Sequence, residues 1–157
     1  MSLNVPPLRA SFTLVVDRQP QLTRRFYEIF FERYPQVAPL FRHKARARQE
    51  EMLTQALVAL MDHLEDSGWL TTSLPELGAK HAGYGVTDAM YGWVGECLLA
   101  TIAEAAGTDW SHELSAAWSD AYRAVAGLTL SGAAANRMQT RTSGVQAVVE
   151  PSPPSAA

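Results

Sequence analysis

The chain is poor in the residues that build covalent or metal frameworks: of 157 residues one is cysteine, Cys97, and four are histidine. That excludes a disulfide scaffold and a multi-cysteine zinc site. Isoleucine occurs only twice, against 24 alanines and 17 leucines. The bias favours helix formers over the β-branched residues that suit pleated strands, so the expected fold class is all-α. Neither sign of charge dominates. With 13 basic and 16 acidic residues the formal net charge is -3, and the electropositive footprint that a phosphate backbone demands is missing. No long apolar run is unbroken, since Glu96 interrupts Val94 to Ile102. Met1 to Asp17 lacks the charged start, apolar centre and small-residue cleavage site of a secretory leader. A cytoplasmic protein is expected, with no nucleic acid partner and no membrane insertion. The sequence also lacks G-x-S-x-G, a Walker loop, G-x-G-x-x-G and H-E-x-x-H, which removes support for ordinary hydrolase and nucleotide chemistry.

What is present is a hydrophobic share of 47%, enough for one sizeable core in a chain of single-domain length. Pro6 and Pro7 precede Leu8, Phe12, Val15 and Val16, whose spacing fits one face of a short helix. Leu22, Phe26, Ile29 and Phe30 repeat the period with Tyr27 beside the stripe, until Pro35 stops it, and Pro39-Leu40-Phe41 reads as a corner. The basic stretch from Arg42 to Arg48 reads as a solvated loop and first helical turn. Met52, Leu53, Ala56, Leu57, Leu60, Met61 and Leu64 form the cleanest amphipathic pattern.

Ser73 and Glu76, three apart with Pro75 between them, predict a helix start; that helix carries Leu74, Leu77 and His81 on one face and ends at Gly83 and Gly85. Thr87 or Asp88 caps the next helix, with Tyr91, Val94, Gly95, Leu98 and Ile102 inside, and Gly107 with Ser111 marks its end. The last helix buries Leu114, Trp118, Ala121, Val125 and Leu128. From Gly132 the composition turns polar and finally Pro/Ser-rich. Residues 1–7 are therefore expected as a leader, 8–132 as the folded domain and 133–157 as a disordered tail.

Two residues stand out chemically: His81, on an apolar helix face, and Tyr27, beside a phenylalanine stripe. Each has a plain structural reading, as a core histidine bonded to a carbonyl or a core aromatic with a satisfied hydroxyl, beside the functional one. His63, at the edge of the Leu60 and Leu64 face, competes with His81 as an internal ligand, while His43 and His112 look exposed.

The segments Leu77-Gly78-Ala79-Lys80-His81-Ala82-Gly83-Tyr84-Gly85-Val86 and Tyr91-Gly92-Trp93-Val94-Gly95-Glu96-Cys97-Leu98-Leu99 resemble the proximal region of globins. Phe26-Tyr27-Glu28-Ile29-Phe30-Phe31, Tyr34-Pro35 and Pro39-Leu40-Phe41 look like the second helix and corner of bacterial single-domain globins and of flavohaemoglobin globin domains, and Ala117-Trp118-Ser119-Asp120-Ala121-Tyr122 looks like their last helix. The resemblance covers about Leu8 to Leu130. It implies a three-over-three helical sandwich around haem b. On it, His81 matches the iron ligand, Phe41 the phenylalanine packed on the porphyrin, Tyr27 the distal tyrosine, and Gln49 with Leu53 the distal glutamine and leucine pair. Leu53, Val86, Val94 and Leu98 fall along the implied pocket wall, Tyr91 beside the proximal histidine, and Lys80 within implied reach of a propionate.

The implied chemistry suits these residue types. A neutral imidazole gives one nitrogen to iron while the other donates a hydrogen bond that sets ring orientation. A tyrosine hydroxyl and a glutamine amide can donate to a partly anionic oxygen ligand in an otherwise apolar pocket. The resemblance thus implies reversible oxygen binding, with nitric oxide and carbon monoxide as further ligands. It also implies conversion of nitric oxide to nitrate using electrons from an external reductase. An oxygen carrier or store without turnover, or a haem-based gas sensor or interaction module, are the alternatives. One departure is notable: flavohaemoglobins place a glutamate eleven residues after the tyrosine matched by Tyr122, and here that position is Ala133.

Overall fold

The computed structural model describes residues 3–42 and 44–149, with side chains described as far as Met138. Helix α1 spans Val5–Arg18, with proline in its first turn, where a missing N–H costs nothing. Leu8 and Val15 are fully buried, and Val16, expected on the same face, is 37% exposed. Because Val5 is itself buried in α1, the helix begins inside the stretch expected as a leader.

Helix α2, Leu22–Arg33, buries Phe26, Tyr27, Ile29 and Phe30 and stops before Pro35, which opens a 3-10 turn over Pro35–Phe41. Helix α3 spans Arg46–Asp62. Of its amphipathic stripe Leu57 and Met61 are buried, as is Leu64 just beyond the helix, but Met52 remains 42% exposed. Helix α3 rests chiefly on α2.

Helix α4, Ser67–Gly83, differs most from the sequence expectation. It starts six residues before the expected Ser73 cap: the Asp66 carboxylate accepts from the Trp69 N–H at 3.0 Å, and Pro75 lies in the helix interior. The Pro75 backbone packs directly on Gly132 of the last helix.

Helix α5, Asp88–Ala106, begins after Thr87 and ends at Gly107, whose φ of +56° favours glycine. A 3-10 turn, Gly107–Asp109, leads to α6, His112–Val149, whose first turn is capped by the Ser111 hydroxyl accepting from Leu114 N–H at 3.1 Å. Trp118 and Ala121 are buried as expected, and Leu114, Val125 and Leu128 are half-buried. The expected end of the domain at residue 132 falls inside α6. Ala133 is only 2% exposed, and Arg137 reaches Asp88 at 3.1 Å. The expected disorder of the Pro/Ser stretch 151–155 lies outside the described residues.

Helix α5 is the spine on which α1, α2 and α6 pack; α4 lies along α6 and α3 on α2. Trp118 Nε1 donates to Ser11 Oγ at 3.0 Å in the buried α1–α6 contact, and Arg18 ties α1 to the Ala106 carbonyl. This is a globin fold, all-α, with no strand among the described residues. Helices α3 and α4 share no broad contact.

Candidate functional site

On α4, the His81 Nδ1 lies 2.8 Å from the carbonyl oxygen of Leu77. A carbonyl can only accept, so Nδ1 carries the proton and Nε2 keeps its lone pair. Leu77 is 39% exposed, and His81 is half-buried, so this face of α4 is not covered by protein. His63 makes the same local bond, to Ala59 at 2.8 Å, but its ring is stacked 4.2 Å from Trp69. The carbonyl bond alone does not single out a ligand; what separates the two histidines is the aromatic cover on His63.

Tyr91 of α5 has its ring centroid 6.4 Å from that of His81. Its hydroxyl is the one buried side-chain nitrogen or oxygen without a partner among the described residues. Burial pushes its pKa above the usual tyrosine value. Tyr122 of α6 donates its own hydroxyl to the Tyr91 carbonyl, and Gly95 is required beside it, because a Cβ there would sit 2.4 Å from the Tyr122 ring. The position at which the resemblance implies a carboxylate is the buried Ala133.

On the α3 side, Tyr27 is buried edge-on to Phe26 at 5.1 Å and to Phe41 at 5.7 Å. Phe41 lies 5.4 Å from Phe31 and 6.3 Å from Phe30. Burial pushes the Tyr27 pKa up to about 12 although the nearby Arg46 charge lowers it. The Arg46 guanidinium sits 5.3 Å above the Tyr27 ring and 4.7 Å above Phe31. Gln49 is 6% exposed and donates from Nε2 to the Phe41 carbonyl at 3.0 Å. Leu53 and Val94 pack half-buried against the core, and Leu98 is buried within it. Val86 donates its N–H to the His81 carbonyl at 3.1 Å.

Lys80 is exposed on α4. The lysine that bridges the two sides is instead Lys44, 5.3 Å over the Tyr84 ring, beside the approach of Leu40 to Gly85. Sequence pattern alone passes over Arg46 and Lys44, because a basic run is ordinarily solvated. The signal that could have found them is the proximity of that run to the Phe31 and Tyr27 rings, one corner away. Two grooves lie outside this constellation. One, of about 620 Å³, has Arg24, Glu28, Arg46 and Glu50 on its walls, and an apolar one, of about 500 Å³, lies among Leu3, Leu64, Leu74 and Leu128.

The sequence model of the globin family matches residues 24–128. A flavohemoprotein of Bacillus anthracis is 30% identical over 121 residues, covering 76% of this chain and 30% of that protein. A flavohemoprotein of Bordetella pertussis is 31% identical over 125 residues, covering 78% of this chain and 31% of that protein. The chain therefore spans under a third of the length of these relatives. Among solved structures, an engineered carbene transferase from Rhodothermus marinus, made from a protein with a provisional designation as a nitric oxide dioxygenase, superposes with a TM-score of 0.78 at 27% identity, covering 89% of this chain and 99% of that one. A bacterial globin of Campylobacter jejuni superposes with a TM-score of 0.70 at 23% identity, covering 82% of this chain and 93% of that one, and speaks for the fold. The all-α fold is that of the globin class. The chain belongs to the globin family, and that membership implies haem binding.

The residues fit such a group. Nδ1 of His81 is engaged with the Leu77 carbonyl, which leaves Nε2 as the nitrogen able to bond a metal, and among the described residues no cluster of three or more His, Cys, Asp or Glu could hold a metal ion. No helix of the described residues is long and apolar enough to cross a membrane.

Proposed function

We propose that this chain holds haem b through His81, binds oxygen reversibly and, with electrons from a separate reductase, converts nitric oxide to nitrate. When bound, haem supplies an iron that takes oxygen, nitric oxide or carbon monoxide and that a reductase returns to the ferrous state. His81 holds the metal through Nε2, since its Nδ1 is engaged with Leu77. Phe41, Leu53, Val86, Val94 and Leu98 supply apolar wall that excludes water, and Tyr91 flanks the histidine.

The observation that carries the reading is Tyr27. Its ring is buried among Phe26, Phe31 and Phe41, and burial pushes its pKa further above neutrality, so the hydroxyl keeps its proton. A hydroxyl kept protonated in an apolar wall is a donor reserved for a ligand that carries partial negative charge. Turnover requires a reductant that returns the iron to the ferrous state.

The test is haem reconstitution followed by ferric, ferrous, oxygenated and carbonmonoxy absorption spectra, with nitrate measured after nitric oxide addition in the presence of a supplied reductase. Stoichiometric uptake, a stable oxygenated spectrum and multiple turnovers are expected. Stable oxygenation without nitrate would reduce the reading to a carrier or store, and absence of haem uptake would end it.

A further inference from the structure

The side chain of Gln49 points away from the role its resemblance implies. It lies in the first turn of α3, 6% exposed, and its Nε2 donates to the Phe41 carbonyl at 3.0 Å across the connection between the 3-10 turn and α3. Helix α3 has no side-chain cap of its own at Ala45, and the Phe41 carbonyl lies at the end of the 3-10 turn, where no further turn of the same helix follows to donate to it. The bond therefore satisfies two groups at once: a buried amide that would otherwise lose its partner and a carbonyl at a helix end.

The neighbours make the junction directional. Arg46, one turn earlier on α3, lies over the rings of Tyr27 and Phe31, and Phe41 packs edge-on against both. The first turn of α3 is thus fastened to the aromatic cluster by a cation over two rings and an amide on one backbone carbonyl. Little else secures that end, because Met52 is 42% exposed and α3 rests chiefly on α2.

We propose that Gln49 is a positioning residue for Phe41: its amide fastens the Pro35–Phe41 turn to α3, setting where the Phe41 ring stands against haem and, through ring contact, where Tyr27 stands. The part that concerns haem rests on the function proposed above, whereas the part that concerns the turn does not. Drawing the amide away to serve a bound gas would leave the Phe41 carbonyl without its donor, so the two roles compete.

The test uses Gln49→Leu and Gln49→Glu beside the unaltered protein, with two readouts. In haem-free protein, amide exchange at Arg42, whose N–H donates to Pro39 in the same turn, is expected to quicken about tenfold in Gln49→Leu. In Gln49→Glu the same amide is expected to exchange fast at neutral pH, where a carboxylate cannot donate. It is expected to return to the rate of the unaltered protein as the carboxyl gains a proton near pH ~4–5. A residue that merely filled space would not give that pH profile. In haem-loaded protein, transfer of haem to an excess of a scavenging apoprotein is expected to be about tenfold faster in Gln49→Leu. Wild-type exchange at Arg42 together with wild-type haem loss in Gln49→Leu, with only oxygen release accelerated, overturns the proposal. If the unaltered protein takes up no haem, the functional reading fails, while the exchange experiment still decides whether Gln49 holds the turn.

Discussion

The Nδ1 nitrogen of His81 lies 2.8 Å from the carbonyl oxygen of Leu77, one turn back along α4. The bond sets the tautomer from within a single helix, and it leaves Nε2 as the basic nitrogen on a face that α3 does not cover. His81→Ala is therefore expected to abolish stoichiometric haem uptake while the far-ultraviolet helical signal of the apoprotein is kept. His81→Gly with added imidazole should regain a histidine-like ferrous spectrum, because the free ring replaces the missing ligand. His63→Ala should retain haem, since its ring is occupied by Trp69. Haem titration followed by absorption distinguishes all three.

Tyr27 yields a kinetic and a pH prediction. A hydrogen bond to a charged partner is worth roughly 1.5–3 kcal/mol, so Tyr27→Phe is expected to speed oxygen dissociation about tenfold to a hundredfold in stopped-flow displacement by carbon monoxide. With its pKa pushed up to about 12, Tyr27 keeps its proton throughout the neutral and mildly alkaline range, and the rate in the unaltered protein should be flat there. The stability consequence has a definite sign. In the unfolded chain the hydroxyl ionises near pH ~10, so between there and the folded value the native state binds the extra proton and stability falls as pH rises. Tyr91 and Tyr122, also raised by burial, act in the same direction. Alkaline unfolding should accordingly be less steep in Tyr27→Phe.

Most of the fold is legible in the sequence because the helical stripes of α1, α2 and α5 are one-sided and end at proline or glycine: Pro35 does stop α2, and Gly107 does end α5. Two features are not legible. Pro75 lies inside α4 and α6 runs on past Gly132, where the two helices meet, Pro75 on Gly132 and Gly78 on Thr129. A local cap at Ser73 and a polar composition after Gly132 carry no information about a partner elsewhere in the chain. In the site, spacing alone leaves His81 and His63 equivalent, and only the resemblance ranks them. The orientation of Gln49 is invisible in sequence because which atom an amide reaches depends on where a preceding turn leaves its carbonyl.

The glycines of the α4–α6 contact give a prediction about stability. A Cβ on Gly78 would stand 1.7 Å from the Thr129 carbonyl oxygen, and one on Gly132 1.8 Å from that of Pro75. Both obstacles are backbone, which cannot swing aside. Gly78→Ala and Gly132→Ala are each expected to lower stability by about 3 kcal/mol or more, on the scale of overpacked cores. Gly127, exposed in the middle of α6, is the contrast, because a Cβ there would meet nothing within 4 Å. The helix-propensity difference then acts alone, and Gly127→Ala should raise stability by about 1 kcal/mol. Thermal and urea unfolding of the three variants give the comparison.

The Tyr91 hydroxyl is buried and without a partner among the described residues. An unsatisfied buried hydroxyl is unfavourable by roughly 1–3 kcal/mol, and replacing Tyr91 by Phe removes it while keeping the ring near His81. Tyr91→Phe is therefore expected to stabilise the apoprotein by about 1 kcal/mol, which urea unfolding would register as a higher midpoint at unchanged slope. The buried Ala133 has no polar atom in its side chain to offer that hydroxyl, and a partner could be gained on loading. If one is gained, the stabilisation seen in the apoprotein shrinks or reverses in the loaded protein. If the hydroxyl stays unpaired, the variant is more stable in both forms by the same amount. Unfolding the pair of proteins in both forms is a double comparison that reads the Tyr91 hydroxyl alone, because the Tyr122 bond is made to the Tyr91 backbone and survives the substitution.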